Sequence, residues 1–265
     1  MIRILAIFLL VWGSAAWADS LKLAVTTSFH NSGLSDILLP AVKEDIDIDL
    51  QLLVVGTGQA LRLGEAGDVD AILVHSRAAE DAFVASGFGT HRREIMYNDF
   101  IFIGPSDDPA GIAEAQNAAD ALTRIAQTQA PFVSRGDDSG THKKEISLWE
   151  AAGTARAGDW YRPVGAGMGA ALNTAAGMDA YILADRASWL NFGNKAGLDL
   201  LFAGDPALFN QYAYIPVSPD LHPHVKADLA LAVEEWLTSD RAKDLIDGYT
   251  INGETLFTFN ATNPS

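Results

Sequence analysis

The sequence predicts an α/β protein with two lobes. Short apolar runs rich in β-branched residues alternate with segments whose apolar residues recur at helical spacing. This alternation is typical of a parallel sheet covered by helices. The pattern starts afresh after Tyr97-Asn98, so we expect a second α/β unit beyond that point.

In the first unit, three strands are expected to alternate with three helices. The predicted strands are 21–26, 50–55 and 69–75, and the predicted helices are 34–42 with a kink at Pro40, 58–65 and 77–86. After the restart, strands are predicted at 100–103, 131–134, 180–184, 198–202 and 212–217. The helices expected there are 117–127, one opening within 134–145 and running to Trp149, one opened by 165–169, and a long helix over 225–237.

The first eighteen residues have the pattern of a secretory signal peptide. Arg3 precedes an apolar run over 4–12, and Ala16-Trp17-Ala18 supplies small residues at the positions before a cleavage site after Ala18. The apolar run is shorter than the roughly 20 residues that a membrane-spanning helix needs. We therefore expect export with cleavage rather than a retained membrane anchor.

The composition argues against nucleic-acid binding and limits how an anion could be bound. With 34 acidic and 18 basic residues, the chain has a formal charge of −16, the wrong sign for binding nucleic acid. Loss of Arg3 with the signal peptide would make the charge one unit more negative. An anion site in this chain must therefore rely on local donors, which is feasible because salt screens the global field over about 8–10 Å. Cysteine is absent, which rules out disulfides and a lipid-anchoring cysteine and favours a free periplasmic protein.

The stretch SRGDDSGTHKKE (134–145) holds the densest set of reactive side chains, yet it does not match the common catalytic or nucleotide motifs. The phosphate-loop pattern needs Gly where Thr141 stands. The nucleophile elbow needs glycines two positions either side of Ser139, where Asp137 and Thr141 stand. The Gly56-Thr57-Gly58 turn lacks the third glycine of the dinucleotide fingerprint, because Leu61 occupies that position.

Two reactive alternatives stay open. Ser139 and His142 are three residues apart on a predicted helix and could form a nucleophile–base pair, as in a secreted serine hydrolase, although no orienting partner is evident. A metal site built from His30, His75, His142 and aspartates lacks any recognisable two-ligand spacing. We therefore expect neither catalysis nor a bound metal.

Anion capture fits the stretch better. A helix that begins near Ser139 leaves the N–H groups of Ser139, Gly140 and Thr141 free, and Arg135 adds a planar charged donor. The polar loops 26–28 and 56–59 also follow predicted strands, so all three should lie at one edge of a sheet. Ordinary helix capping with a surface ion pair at Arg135 is the competing interpretation.

Five blocks of the sequence resemble the tungstate-binding proteins of bacterial ABC importers: VTTSFHNSGLSDILLP (25–40), VVGTGQALRLGEAGDVDAILVH (54–75), YNDFIFIGP (97–105), SRGDDSGTHKKE (134–145) and GAGMGAALNTA (165–175). The resemblance implies a two-lobed type II periplasmic-binding-protein fold, with mixed, mostly parallel sheets and a ligand cleft between the lobes. One lobe would comprise 19–98 plus about 205–265, and the other about 99–204. Val25 stands where the family motif has its first threonine.

The resemblance also implies the ligand and its contacts. The ligand would be tungstate, with molybdate and phosphate as alternatives, delivered by a monomeric protein to an inner-membrane ABC permease without a cofactor. Hydrogen phosphate needs an acceptor for its proton, so Asp137 and Asp138 would bear on that choice. The ligand-binding residues would be Thr27, Ser28, Gly56, Thr57, Gly58, Arg135, Ser139, Gly140 and Thr141, with Met168 and Gly169 as further contributors.

Overall fold

The structure is a computed structural model that describes residues 19–137 and 139–262. The expected signal peptide and Asp138 lie outside the described residues. The first part of the chain alternates strands and helices as predicted. Its elements are β1 (Asp19–Thr26), α1 (Thr27–Asn31), α2 (Ser35–Ile46), β2 (Ile48–Val55), α3 (Thr57–Ala66), β3 (Ala71–Val74) and α4 (Arg77–Ala85).

The remainder continues the alternation and ends in three two-residue strands. Its elements are β4 (Arg93–Pro105), α5 (Ala118–Thr128), β5 (Phe132–Ser134), α6 (Gly140–Ala151), β6 (Tyr161–Pro163), α7 (Met168–Met178), β7 (Tyr181–Asp185), α8 (Arg186–Asn191), β8 (Leu198–Phe202), β9 (Phe209–Pro216), α9 (Ala227–Leu237), α10 (Asp240–Asp247), β10 (Thr250–Ile251), β11 (Glu254–Thr255) and β12 (Thr258–Phe259). Short 3₁₀ turns lie at Ile112–Glu114 and Pro206–Leu208.

The strands form a mixed sheet in the order β2-β1-β3-β9-β4-β7-β5-β6, with β8 and β12 also paired to β4. Parallel pairing joins β1 to β2 and β3, and joins β5 to β6 and β7. Every pairing of β4 or β9 is antiparallel. The predicted mixed α/β fold is confirmed, with its parallel strands grouped on either side of these two antiparallel strands.

Strand β4 connects the two groups of strands. Arg93 to Asp99 pair with β9, whereas Phe100 to Ile103 pair with β7. The sequence predicted only 100–103 as a strand, because the preceding segment is interrupted by polar residues. Two of these have partners at this junction: Asn98 accepts a hydrogen bond from Asn210 (2.8 Å), and Asp99 forms a bidentate ion pair with Arg186 (both 2.6 Å). The division into lobes at about 98/99 and 204/205 stays a prediction.

The strand registers bring several loops to common edges. Thr26 at the end of β1 is level with Val55 at the end of β2, and Val25 is level with Leu73 of β3. In the second group, Ser134 at the end of β5 is level with Pro163 at the end of β6. Because parallel strands end at one edge, the starts of α1 and α3 lie side by side with His75, which follows β3. The segments that lead into α6 and α7 also lie side by side.

Helix α6 is held by an aromatic cluster. Trp149 packs edge-to-face on Phe132 of β5 at a centroid distance of 5.3 Å, and Phe132 stacks on Tyr161 of β6 at 6.0 Å. Glu145 is buried beside them and accepts hydrogen bonds from the Trp149 indole (3.2 Å) and the Tyr161 hydroxyl (2.8 Å). These contacts fix the direction of α6 and therefore the position of its first residues. Across the described ranges, no helix is long and apolar enough to cross a membrane.

Candidate functional site

Two helix starts from the first group of strands carry predicted site residues. Thr26 caps α1, and its hydroxyl accepts a hydrogen bond from the Phe29 N–H (3.3 Å). Thr27 and Ser28 are the first two residues of α1, and Thr57 and Gly58 are the first two of α3, which begins after Gly56. The first N–H groups of a helix have no partner within it, so both pairs are available as donors. The Thr27 side chain is exposed and that of Ser28 is half-buried.

The predicted site residues of the second group are brought together by contacts between two loops. Gly136 has a φ of 60°, and a Cβ there would lie 3.0 Å from the Pro163 Cβ and 3.4 Å from the Gly165 nitrogen. The Ala166 N–H donates to the Arg135 carbonyl oxygen (3.1 Å). The loop before α6 therefore lies directly against the loop before α7, and only glycine fits position 136 without strain.

Helix α6 presents two further free N–H groups. Its cap is Ser139, whose hydroxyl accepts from the His142 N–H (3.3 Å), so Gly140 and Thr141 are the first two helical residues. Helix α7 begins in the same way after Gly167, with Met168 and Gly169 first. The Met168 side chain is buried in the core, so this residue can offer a ligand only its N–H. Gly169 is exposed.

Arg135 is oriented but retains unused donor capacity. Its Nη2 donates to the Asp137 carboxylate, and its Nη1 lies 3.5 Å from the Thr141 hydroxyl. The side chain is 16% exposed, and its buried Nε has no hydrogen-bond partner within residues 19–137 and 139–262. A buried guanidinium N–H without a partner is costly. An acceptor brought to this N–H would remove that cost.

Asp137 is engaged through both carboxylate oxygens. One oxygen accepts from Arg135, and the other accepts from the Ser139 N–H (3.2 Å). The prediction that the Ser139 N–H is free was therefore wrong, because the Asp137 carboxylate two residues earlier already accepts from it. Burial alone would raise the pKa of Asp137, but the hydrogen bonds from Ser139 and the charge of Arg135 outweigh it and hold this pKa below its usual value. Asp137 therefore acts as an ionised group that orients Arg135. Asp138 lies outside the described residues.

His75, which the sequence suggested only as a metal ligand, lies beside the predicted site residues Ser28 and Gly140. It follows β3 directly, and its Nε2 lies 3.0 Å from the Ser28 hydroxyl. Its ring packs on Tyr212 of β9 at a centroid distance of 4.7 Å. A Cβ on Gly140 would lie 3.0 Å from its Cε1, so the start of α6 approaches the loop after β3 closely. Residues from both groups of strands thus meet at His75.

A cavity of about 230 Å³ lies between the two groups of strands. Two predicted residues, Ser28 and Gly169, line it from opposite sides. Sequence reasoning missed the other polar residues of its lining, which are Asn31, Ser32, Asp185, Ser188 and Asn191. Asp185 also caps α8 by accepting from the Ser188 N–H (2.9 Å). Asp185 directly follows the predicted strand 180–184, and this position is the sequence signal that could have indicated it.

The two reactive alternatives gain no geometric support. The Ser139 oxygen accepts from a backbone N–H at the start of α6, which is the role of a helix cap rather than of an activated nucleophile. In the part of the chain that the structure describes, no group of three or more His, Asp or Glu side chains is placed to hold a metal ion. The loops before α1, α3, α6 and α7 instead share a supply of N–H and O–H donors, and Arg135 adds a guanidinium beside the start of α6.

Residues 13–241 match the family model of the PBP superfamily domain, and the chain belongs to this superfamily of binding proteins. It is 46% identical over 246 residues to the tungstate-binding protein TupA of Peptoclostridium acidaminophilum, covering 91% of this chain and 86% of the relative. Both descriptions are of binding proteins rather than of enzymes.

Two solved structures are similar over nearly their whole length. The tungstate-binding protein TupA from Desulfovibrio alaskensis G20 has a TM-score of 0.89 at 45% identity, over 92% of this chain and 100% of the other. The tungstate ABC transporter structure from Geobacter sulfurreducens has a TM-score of 0.78 at 47% identity, over 87% of this chain and 98% of the other.

Proposed function

We propose that this protein is a solute-binding protein that captures a tetrahedral oxyanion, tungstate in the first place, and delivers it to an ABC importer. The observation that carries the proposal is the set of donors at the strand ends. Four helices begin there with free N–H groups, and Arg135 adds a buried N–H without a partner within the described ranges. Helix starts and guanidinium groups are the features that proteins use to hold oxyanions.

The proposed contacts come from both groups of strands. Hydroxyl and N–H groups of α1 and α3 would hold one side of the anion, and Arg135 with the starts of α6 and α7 would hold the other. The proposed ligand-binding residues are Thr27, Ser28, Gly56, Thr57, Gly58, Arg135, Ser139, Gly140, Thr141, Met168 and Gly169. Closure of the lobes 19–98 with 205–265 against 99–204 would bury the anion, where each hydrogen bond strengthens as water is excluded.

The chemistry of the donors favours a fully deprotonated anion. Tungstate and molybdate carry no proton at neutral pH and need only donors, whereas hydrogen phosphate also needs an acceptor. Asp137 is a poor acceptor for a ligand because both of its oxygens are already engaged. Asp185 is the carboxylate that keeps phosphate as the second candidate, since it lines the cavity. The choice of tungstate over molybdate rests on the names of the relatives.

The proposal includes a location and a partner. The chain would be exported, cleaved after Ala18, and act in the periplasm as a monomer that presents its closed form to an inner-membrane permease. The relatives in ABC transport systems and the signal-peptide pattern of 1–18 support this part. The protein would carry out no chemistry on its ligand.

Isothermal titration calorimetry with tungstate, molybdate, sulfate and phosphate, in one phosphate-free buffer at fixed pH, tests the proposal. We expect tungstate to bind tightest, molybdate next, and sulfate and phosphate at least tenfold more weakly. Displacement of bound molybdate by tungstate orders the two directly. Equal affinities for all four anions would overturn the selectivity, and no binding of any of them would overturn the function. Tighter binding of phosphate, lost in Asp185→Asn, would favour the second candidate instead.

A further inference from the structure

The hydroxyl of Ser28 has three polar neighbours within the described residues. The Thr26 hydroxyl lies at 3.0 Å, His75 Nε2 at 3.0 Å and the Tyr212 hydroxyl at 3.1 Å. A serine hydroxyl has one proton to donate and accepts at most two hydrogen bonds. Three neighbours can therefore use its whole hydrogen-bonding capacity. If two of them donate to Ser28, its own proton is left for the third neighbour or for a ligand in the cavity that Ser28 lines.

The tautomer of His75 controls that direction. A neutral imidazole carries its proton on Nδ1 or on Nε2. If Nε2 is bare, it accepts the Ser28 proton, and none is left for an anion. If Nε2 carries the proton, His75 and Tyr212 can both donate to Ser28, which then turns its own proton either to Thr26 or to the cavity. The Thr26 oxygen already accepts from the Phe29 N–H, so it competes less strongly for this proton.

The surroundings of His75 keep its ring neutral and closely packed. Burial lowers the pKa of His75 to about 4, although hydrogen bonds to its own backbone and to the Asn210 side chain act in the opposite direction, so the ring is uncharged at neutral pH. Tyr212 packs against one part of the ring at a centroid distance of 4.7 Å, and the Gly140 backbone lies against the Cε1 edge. Burial also raises the pKa of Tyr212 well above its usual value, so its hydroxyl stays protonated and able to donate.

We propose that His75 is a positioning residue of the oxyanion site, whose Nε2–H donates to Ser28 and thereby directs the Ser28 proton to the anion. This inference rests on the proposed function, because it assigns a role in the same site. It predicts that tungstate affinity depends on the position of the Nε2–H group and does not depend on a positive charge on the ring. The role differs from ligand contact, since His75 acts through Ser28.

The tautomer can be read directly on the wild-type protein. Long-range ¹H–¹⁵N correlation spectra of protein labelled with ¹⁵N-histidine distinguish the Nε2–H, Nδ1–H and imidazolium forms. We expect the His75 signals to report the Nε2–H form at pH 7 with tungstate bound. An Nδ1–H or imidazolium pattern in the tungstate complex would overturn the proposal without the need for any variant.

Two substitutions separate positioning from packing. In His75→Gln the side-chain amide reaches the place of Nε2 and can donate to Ser28, whereas in His75→Asn it reaches only the place of Nδ1. By calorimetry we expect tungstate affinity within about threefold of wild type for His75→Gln and at least tenfold weaker for His75→Asn. His222→Gln, far from the cavity, is the matched control and should bind as wild type does.

The outcomes separate this inference from the proposed function. If the wild type binds tungstate and His75→Asn, shown by thermal unfolding to be folded, binds equally well, this inference alone is wrong. If the two variants are weakened equally, His75 contributes only to packing. If the wild type binds none of the four anions, the proposed function is wrong, and the role of His75 toward an anion is wrong with it.

Discussion

At the scale of one residue, the proposed oxyanion site depends on Arg135. Its guanidinium places a positive charge beside the start of α6 in a chain with a formal charge of −16. The Asp137 carboxylate holds both the Arg135 guanidinium and the Ser139 N–H in place before any ligand arrives. Pre-orientation of this kind lowers the entropy that binding must overcome, because the side chain no longer has to be ordered by the ligand.

Replacing Arg135 should weaken oxyanion binding strongly. We expect Arg135→Ala to bind tungstate at least tenfold more weakly, because a hydrogen bond to a charged group contributes about 1.5–3 kcal/mol. Arg135→Lys keeps the charge but loses the planar fork, so an intermediate affinity is expected. Calorimetric titration measures all three proteins. Arg162→Ala is the control, since that arginine is 49% exposed and lies 3.9 Å from its acidic neighbour. Unchanged affinity in Arg135→Ala would remove this residue from the site.

At the scale of the elements, the anchoring of α6 matters most. The stretch 134–145 begins with site residues and ends with Glu145, which joins α6 to β6 through its bonds to Trp149 and Tyr161. Burial raises the pKa of Glu145, and the hydrogen bonds from Tyr161 and Trp149 offset this only in part. The same short segment therefore supplies both the ligand donors and the structural attachment that holds them in place.

Glu145→Gln should stabilise the fold at neutral pH. The glutamine oxygen can accept the same two hydrogen bonds without burying a charge, so we expect the free energy of unfolding at pH 7 to rise by on the order of 1 kcal/mol. A raised folded-state pKa costs the wild type stability above that pKa, and the cost disappears as pH falls to the unfolded value of 4.5. The advantage of the variant should shrink over the same window.

Denaturant unfolding at several pH values measures this difference. Glu150→Gln, exposed on the same helix, should leave the free energy of unfolding nearly unchanged at each pH. Glu145→Ala should be destabilised by about 1–3 kcal/mol, because the Trp149 and Tyr161 donors lose their acceptor. A pH-independent difference between wild type and Glu145→Gln would contradict the titration of Glu145 as its cause.

The sequence predicted the elements better than it predicted the site. Helices such as α5 and α9 follow from apolar spacing alone, because that pattern is local. The first half of β4 escaped prediction because Asn98 and Asp99 break the apolar run, and their partners Asn210 and Arg186 are distant in sequence. His75 and Asp185 escaped for the same reason: the contacts that place them at the cavity come from elements that only the folded chain brings together.

At the scale of the whole molecule, the net charge opposes the approach of an anion. The site must attract a dianion with short-range donors in a chain that carries 34 acidic residues. The repulsion acts over the Debye length, which falls from about 30 Å at 0.01 M salt to about 8 Å at 0.15 M. A change of ionic strength therefore alters the long-range repulsion by the whole chain while leaving the short-range donors of the site less affected.

The association rate of tungstate should rise with salt over this range, because screening removes the long-range repulsion and leaves the local donors less affected. Stopped-flow measurement of tryptophan fluorescence follows binding, since Trp189 lies on α8 beside the cavity. A parallel series with Arg135→Ala shows how much of the effect comes from the local charge. A rate that falls with salt in the wild type would mean that a positive local field dominates the encounter.

The path of β4 and β9 through the sheet has a consequence for the order in which the chain acquires its structure. Strand β3 pairs with β9, so the parallel strands β1 to β3 lack their inner neighbour until residues 209–216 have been synthesised. Residues 100–105 of β4 and the strands β5 to β8, by contrast, pair with one another within one contiguous segment of the chain. Local contacts form faster than distant ones, so we expect the middle of the chain to fold first, with the sheet formed by its two ends completed last.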